Sequence, residues 1–359
     1  MISTETGIVK RIIWFRKGIQ CLEVKFEGKK EKALNYPYLT GTALPGQEVI
    51  LNTTAVELGL GSGGYHFVIA NCTSKKLSLS PGGHIMKLRY TPLQCKVKTY
   101  EESLAEKGLH PPNNFYRELK GTPVVIGELH SMIAPFILTL KKLKPDVKIA
   151  YVMTDSASLP LYLSNTVFHL KNDSLIEGSV TCGHAFGGDL ETVNIYTALI
   201  AAKNKLKADV ILLTPGPGVV GTSTRYGYSG IEQGEHIDRV RKMQGVPVVI
   251  PRISFSDLRR RHFGLSHHTL TALGEIASQS AHLPLPPLDK AKLLIIYEQL
   301  KTSGLLEKHK ITIVNRPRNM TLNWKNDRHL QTMGRGIKQD PAFFFTVICA
   351  ACFTEKIIN

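Results

Sequence analysis

Ala208-Asp209-Val210-Ile211-Leu212-Leu213-Thr214-Pro215-Gly216-Pro217-Gly218-Val219-Val220-Gly221-Thr222-Ser223-Thr224-Arg225 is the stretch whose reading decides the fold. Its run 209–214 is apolar at the centre and closed by Gly and Pro, the pattern of an interior strand in a parallel sheet. A helix restarts after Ser229, where Ser229 and Glu232 have the spacing of a capping box. The loop between is about fourteen residues, against a usual βα connection of roughly two to six. Such length predicts a binding loop.

On either side of this stretch, strand-like runs alternate with helix-like ones from residue 122 onward. The strand runs are 124–129, 148–153, 175–182, 210–214 and 246–253, and the helix runs are 132–143, 159–170, 190–206, 230–243 and 267–278. Five β-then-α units predict an α/β domain with one open, mostly parallel, Rossmann-like sheet and helices on both faces. A helix at 290–300, a strand at 311–315 and an apolar helix at 341–353 extend or cover it.

The pattern before residue 100 is different. Short alternating runs at 8–15, 20–26, 32–35, 48–54 and 65–71, separated by Gly and Pro, predict a small SH3- or OB-like β-barrel. Gly59, Gly61 and Gly64 have the dinucleotide spacing, but β-branched and aromatic residues follow where a helix is needed, so they read as a hairpin loop. An extended arm at 84–98 completes a first domain, 1–100; residues 101–121, with Pro111-Pro112 and Asn113-Asn114, form a connector, and 122–359 is the α/β domain.

Bulk composition narrows the partners. The formal net charge of +16 and pI near 9.5 favour anionic partners: nucleic acid, phosphorylated metabolites or acidic surfaces. Residues 1–100 hold 14 Lys+Arg and 6 Asp+Glu, an excess of +8, which makes the barrel the candidate nucleic-acid surface. No apolar run reaches the roughly 18 to 20 residues of a membrane span, and Met1 to Thr6 lacks a secretion signal, so a cytoplasmic location with no membrane partner is expected. The six cysteines are scattered; Cys349 and Cys352 alone have a two-residue gap, and in their apolar setting they read as two buried thiols.

Ligands of open α/β sheets bind beyond the carboxyl ends of the strands. Glu128 and His130, Asp155, the stretch His184 to Asp189, the long loop, and Arg252 with 254–262 all follow predicted strands. The candidate catalytic residues are therefore Glu128, Asp155, His184, His267 and His268. The candidate ligand-binding residues are Gly216, Gly218, Gly221, Thr222, Ser223, Arg225, Arg252 and Asp189. Gly216, Gly218 and Gly221 repeat the dinucleotide spacing, but their helix starts about eight residues late, so an anion nest with Thr222, Ser223 and Arg225 is the better reading. Asp189 is expected first as a helix cap. His267 and His268 open a helix after Ser266 and diverge by about 100°, so one of them should face the crevice. A histidine metal site with Asp189 or His184 has no spacing signal, and Arg259-Arg260-Arg261 reads as a solvated charge run. Neither a Gly-x-Ser-x-Gly elbow nor a phosphate loop is present.

Several stretches together resemble a bacterial family, found in Gram-positive lineages, classed as a domain of unknown function. They are Pro45 to Val49, Leu58 to Gly64, Gly183 to Glu191, Gly230 to Gly234, Arg252 to Phe255, Gly264 to Thr269 and Met333 to Gly336. The resemblance spans nearly the whole chain and implies no activity, cofactor or catalytic residue. The functional expectation rests on the residues: a small anionic metabolite bound at the strand ends by a hydrolase or transferase, with His184 or His267/His268 as base and Arg225 or Arg252 holding the anion. The alternative is a nucleic-acid-binding or regulatory module using Arg16, Lys17, Lys29 or Lys30 of the barrel. No cofactor or oligomeric state is specified.

Overall fold

The computed structural model describes residues 1–73, 77–108, 119–315, 322, 324 and 330–358. They form two units, Met1–Val97 and Lys98–Asn359.

In the first unit, β1 (Thr4–Arg16), β2 (Ile19–Phe26), β3 (Lys29–Asn35), β4 (Glu48–Asn52) and β5 (Tyr65–Asn71) close into a barrel in the order β1-β2-β3-β5-β4. Alternation along the strands sends Val9, Leu22, Val24, Ala33, Val49, Leu51 and Val68 inward to form its core. The β2–β3 hairpin turns on Glu27-Gly28, both at positive φ as a two-residue type I′ turn requires. Gly59 to Gly64 lead into β5 with no helix after them, as read. The arm at 84–98 is not simply extended: β6 (Ile85–Lys87) and β7 (Cys95–Val97) pair as a small antiparallel hairpin.

The second unit begins with a capped helix, Tyr100–Ala105, inside the stretch read as a connector; the Pro111-Pro112 and Asn113-Asn114 pairs lie outside the described residues. Its strands are β8 (Pro123–Gly127), β9 (Ile149–Thr154), β10 (Gly178–Thr181), β11 (Leu190–Glu191), β12 (Val210–Pro215), β13 (Val246–Ile250), the short pair β14 (Ile253–Ser254) and β15 (Gly264–Leu265), β16 (His282–Leu285) and β17 (Lys310–Ile313). Eight of them form one sheet in the order β11-β10-β9-β12-β8-β13-β16-β17, with every pairing parallel. Helices Ile133–Leu143, Asn165–Asn172 and Pro341–Ile357 pack on one face, and Ile195–Asn204, Glu232–Lys242 and Lys290–Thr302 on the other. Both faces are covered, which explains the unbroken apolar run in β12: Ile211 and Leu213 enter one layer, Val210 and Leu212 the other.

The order places the crevice. The chain leaves β8 through the Ile133–Leu143 helix towards β9, skipping the position that β12 later fills. It leaves β12 through Glu232–Lys242 on the opposite face and crosses to β13. Connections diverging to opposite faces at β8 and its neighbours open a gap at their carboxyl ends.

Several local expectations are corrected. Strand β16 was not foreseen, because Pro284 interrupts a four-residue run; its parallel pairing with β17 overrides that signal. Ser229 and Glu232 form no capping box: Ser229 Oγ accepts from Val220 N–H, and Glu232 Oε1 accepts from Thr154 and Ser156, so a 3₁₀ turn, Ser229–Ile231, starts the helix. Asp189 is not a cap either. Asn194 caps the helix Ile195–Asn204, while Asp189 accepts from Ser179 N–H and Oγ at 2.9 and 2.8 Å and pairs with Lys171. The helix after Ser266 runs only to Thr271 before becoming a π-helix, Ala272–Ile276. Cys349 and Cys352 are buried on Pro341–Ile357, and Cys349 donates to Val314 O at 3.0 Å. Among the described residues no helix is long and apolar enough to cross a membrane.

Candidate functional site

Three segments meet at the carboxyl ends of β8, β12 and β13: residues 128–130, the long loop, and 251–269. Between them lies a cleft of about 200 Å³ lined by Glu128, Gly221, Arg252, Arg259, Arg261 and His268, among others.

Glu128 is the residue that follows β8, so it is buried between the covering layers of the sheet. Its Oε2 accepts from Thr269 Oγ1 at 2.9 Å, and Thr269 Oγ1 in turn accepts from Arg252 N–H at 3.1 Å. Arg252 Nη1 stands 3.9 Å from Glu128 Oε1, an oxygen without a hydrogen-bond partner among the described residues. Burial pushes this carboxyl above the ordinary range, against the pull of Arg252 and the Thr269 hydroxyl.

Arg252 is also buried and is held by Asp257, its Nη2 donating to Oδ2 at 3.1 Å. Arg259 binds the same carboxylate at 2.9 and 2.8 Å, and Arg335 Nη2 lies 3.7 Å away. The hydrogen bonds from Arg259 are the main reason the Asp257 carboxyl sits well below the usual range. Arg335 reaches on to Asp340, which accepts from Ser254 Oγ at 2.8 Å. The stretches 252–255, 264–269 and 333–336 are thereby tied into one polar cluster.

Of the adjacent pair, His268 lines the cleft and His267 does not. Their ring centroids are 4.2 Å apart, and both approach His262, at 5.0 and 5.1 Å. One donor atom from each of the three lies within 4.8 Å of the others. His262 Nδ1 faces Ser266 Oγ at 2.8 Å, and its Nε2 accepts from Arg261 Nε–H at 3.4 Å. The His268 ring stacks on Tyr228 at 3.9 Å with 6° between planes. His267 Nε2 is buried without a hydrogen-bond partner among the described residues. Burial, aided by neighbouring arginines and by one another, pulls His262 and His268 down to about 3 and lowers His267. The sequence reading missed His262 because it ends a basic run, Arg259 to Arg261, that looked merely solvated.

The other predicted residues divide. Gly221 and Thr222 line the cleft, but the Thr222 hydroxyl donates to Gly227 O at 3.0 Å, and Ser223 is exposed. Arg225 is exposed and bound to Glu275 at 2.8 Å, which takes it out of the expected anion nest. Gly216 and Gly218 line an adjoining cleft of about 250 Å³ with His130 and Met333. A Cβ on Gly216 would sit 2.7 Å from Ser158 O, so only glycine allows that approach. His130 tethers this region: Nδ1–H points at Pro215 O at 3.2 Å and Nε2 meets Ser164 Oγ at 2.7 Å.

Asp155, His184 and Asp189 belong elsewhere on the sheet edge. Asp155 Oδ2 accepts from His184 N–H at 2.8 Å, and Gly183, at φ 63, leaves the space that this carboxylate occupies. These residues follow β9 or flank β10, and β10 is four strand intervals from β13, roughly 19 Å at about 4.8 Å per strand. The expected single crevice holding His184 together with Arg252 and His267 is therefore split. In the barrel, Lys30 lies 3.9 Å from Glu23, Lys29 and Lys17 are on the surface, and Arg16 lies over the Trp14 ring.

Residues 32–351 of the 359 match a family described as a protein of unknown function (DUF3866). The chain belongs to this family. The match runs from within β3 to the helix Pro341–Ile357, so it takes in β4, β5 and part of β3 of the barrel, leaves out β1 and β2, and includes every residue named in the cleft. No curated protein matches the chain.

Proposed function

We propose that the Lys98–Asn359 unit binds a small anionic metabolite, bearing phosphate or carboxylate, in the cleft at β8, β12 and β13, and acts on it as a hydrolase or transferase. The observation that carries this reading is the convergence of Arg252, Arg259 and Arg261 on a cleft that also holds the buried Glu128. The arginines supply planar, charged donors suited to phosphate or carboxylate oxygens. Glu128, with its raised pKa, would keep a proton to give to a departing oxygen. The volume of about 200 Å³ falls below the roughly 300–1,000 Å³ of pockets for drug-sized ligands, which favours a small ligand or the charged end of a larger one.

Calorimetric titration with inorganic phosphate, then with phosphorylated and carboxylated metabolites, tests the proposal. Arg261→Ala should weaken binding roughly 10- to 100-fold, the worth of a charged hydrogen bond. Arg225→Ala, whose side chain is tied to Glu275, should leave it unchanged. Absence of anion binding, or equal affinity in Arg261→Ala, would refute the reading.

A further inference from the structure

The geometry points to a divalent transition-metal site formed by His262, His267 and His268 beside the anion cleft. Three points no more than 4.8 Å apart can all be reached from one centre within about 2.8 Å, against Zn–N bonds of about 2.0–2.1 Å. Each ring nitrogen needs to move by less than about 1 Å, within the reach of a χ rotation.

The tautomers favour ligation. The Ser266 hydroxyl accepts from His268 N–H and faces His262 Nδ1, an arrangement in which either the hydroxyl or the ring can donate. Arg261 Nε–H donates to Nε2 of the same ring, which assigns the lone pair to Nε2 and the proton to Nδ1; the bond is long, from an exposed side chain that an ion would displace. A hydroxyl fixing the far nitrogen is the usual support of a ligating histidine. His267 Nε2, buried and unpartnered among the described residues, has no other evident use. Stacking on Tyr228 fixes the plane of His268.

The charge environment is compatible with an ion. Arg252 and Arg259 are both bound to Asp257, which offsets much of their opposition to a cation. Three neutral nitrogen donors select zinc and its first-row neighbours over magnesium or calcium. Three protein ligands leave a coordination position for water or an oxygen of the anion. In that sense the inference deepens the proposed function, but the metal is titrated alone, so the two can fail separately.

The test uses the full chain, stripped with a chelator and titrated with Zn²⁺ without added anion. One equivalent should bind, and X-ray absorption of the zinc-loaded protein should give three imidazole nitrogens at about 2.0–2.1 Å. His267→Ala should weaken binding more than about 100-fold, beyond the ~10- to 100-fold typical of supporting residues, while His184→Ala should not. No one-equivalent uptake, or a first shell with fewer than three imidazoles, would overturn the site; the second result comes from the unaltered protein and does not depend on a variant folding. Phosphate bound by protein that takes up no zinc would sink the metal site and leave the anion reading. Zinc bound on three imidazoles without phosphate binding would do the reverse.

Discussion

Asp257→Asn tests how the cleft is held together. The buried carboxylate accepts from Arg259 at 2.8 and 2.9 Å and from Arg252 at 3.1 Å. An amide removes the charge and leaves the buried Arg252 guanidinium with Glu128 at 3.9 Å. Breaking a buried pair from one side costs roughly 3–5 kcal/mol. Arg259 is 48% exposed and regains water, and Glu128 can ionise more fully, so the loss should fall at the low end, about 3 kcal/mol. At about 2 °C per kcal/mol for a unit of this size, the midpoint drops roughly 6 °C. The protein has two tryptophans, and Trp324 packs in a core layer of the α/β unit, so its fluorescence in a Trp14→Phe background reports that unit alone. Phosphate should restore more stability to the variant than to the parent, because it would reoccupy the freed guanidinium groups. The pH dependence has a definite sign. A carboxyl held below its ordinary value contributes fully above about pH 3.9 and loses that contribution as pH falls further. The difference between parent and variant should thus be level from neutral pH down to about 5 and shrink below about 4. A loss under about 1 kcal/mol at pH 7, or a difference that widens on acidification, would refute this account of the cleft.

His130 gives a second pH signature. Burial pulls its pKa from 6.5 to about 4, so the unfolded chain binds a proton that the fold excludes, and stability should rise with pH between those values by about 3 kcal/mol. His130→Gln should flatten a plot of unfolding midpoint against pH by that amount; an unchanged slope would mean the ring is charged in the fold. Thiol chemistry tests the reading of the cysteines: a water-soluble thiol reagent should label the exposed Cys72 first, and Cys349 and Cys352 only on unfolding. Prompt labelling of Cys349 in the native protein would contradict its burial.

Much of the fold was legible because the signals are local. The apolar run closed by Pro215 and Gly216 marks β12 wherever it packs, and the Glu27-Gly28 turn sets the β2–β3 hairpin by its own backbone preferences. Strand β16 was illegible because Pro284 argues against a strand, and only the partner β17 outweighs it. Asp189 and Glu232 misled for a related reason. Asp189 is a good cap by residue type and Glu232 a good capping-box partner of Ser229 by spacing, but tertiary neighbours, Ser179 with Lys171 and Thr154 with Ser156, offered their carboxylates better partners.

The sequence by itself determined a barrel followed by a parallel α/β sheet and placed the polar residues after the strands, since periodicity and turn chemistry act within a few residues. Which of those residues share a site was decided only by strand order. β12 enters between β9 and β8, and β13 lies on the far side of β8, so Glu128, Arg252 and the long loop converge while His184 and Asp155 are carried away along the sheet edge. His262 joined His267 and His268 for the same kind of reason: the fold brings β14 and β15 together as an antiparallel pair and so returns the chain to the cleft, a contact that no spacing in the sequence announces.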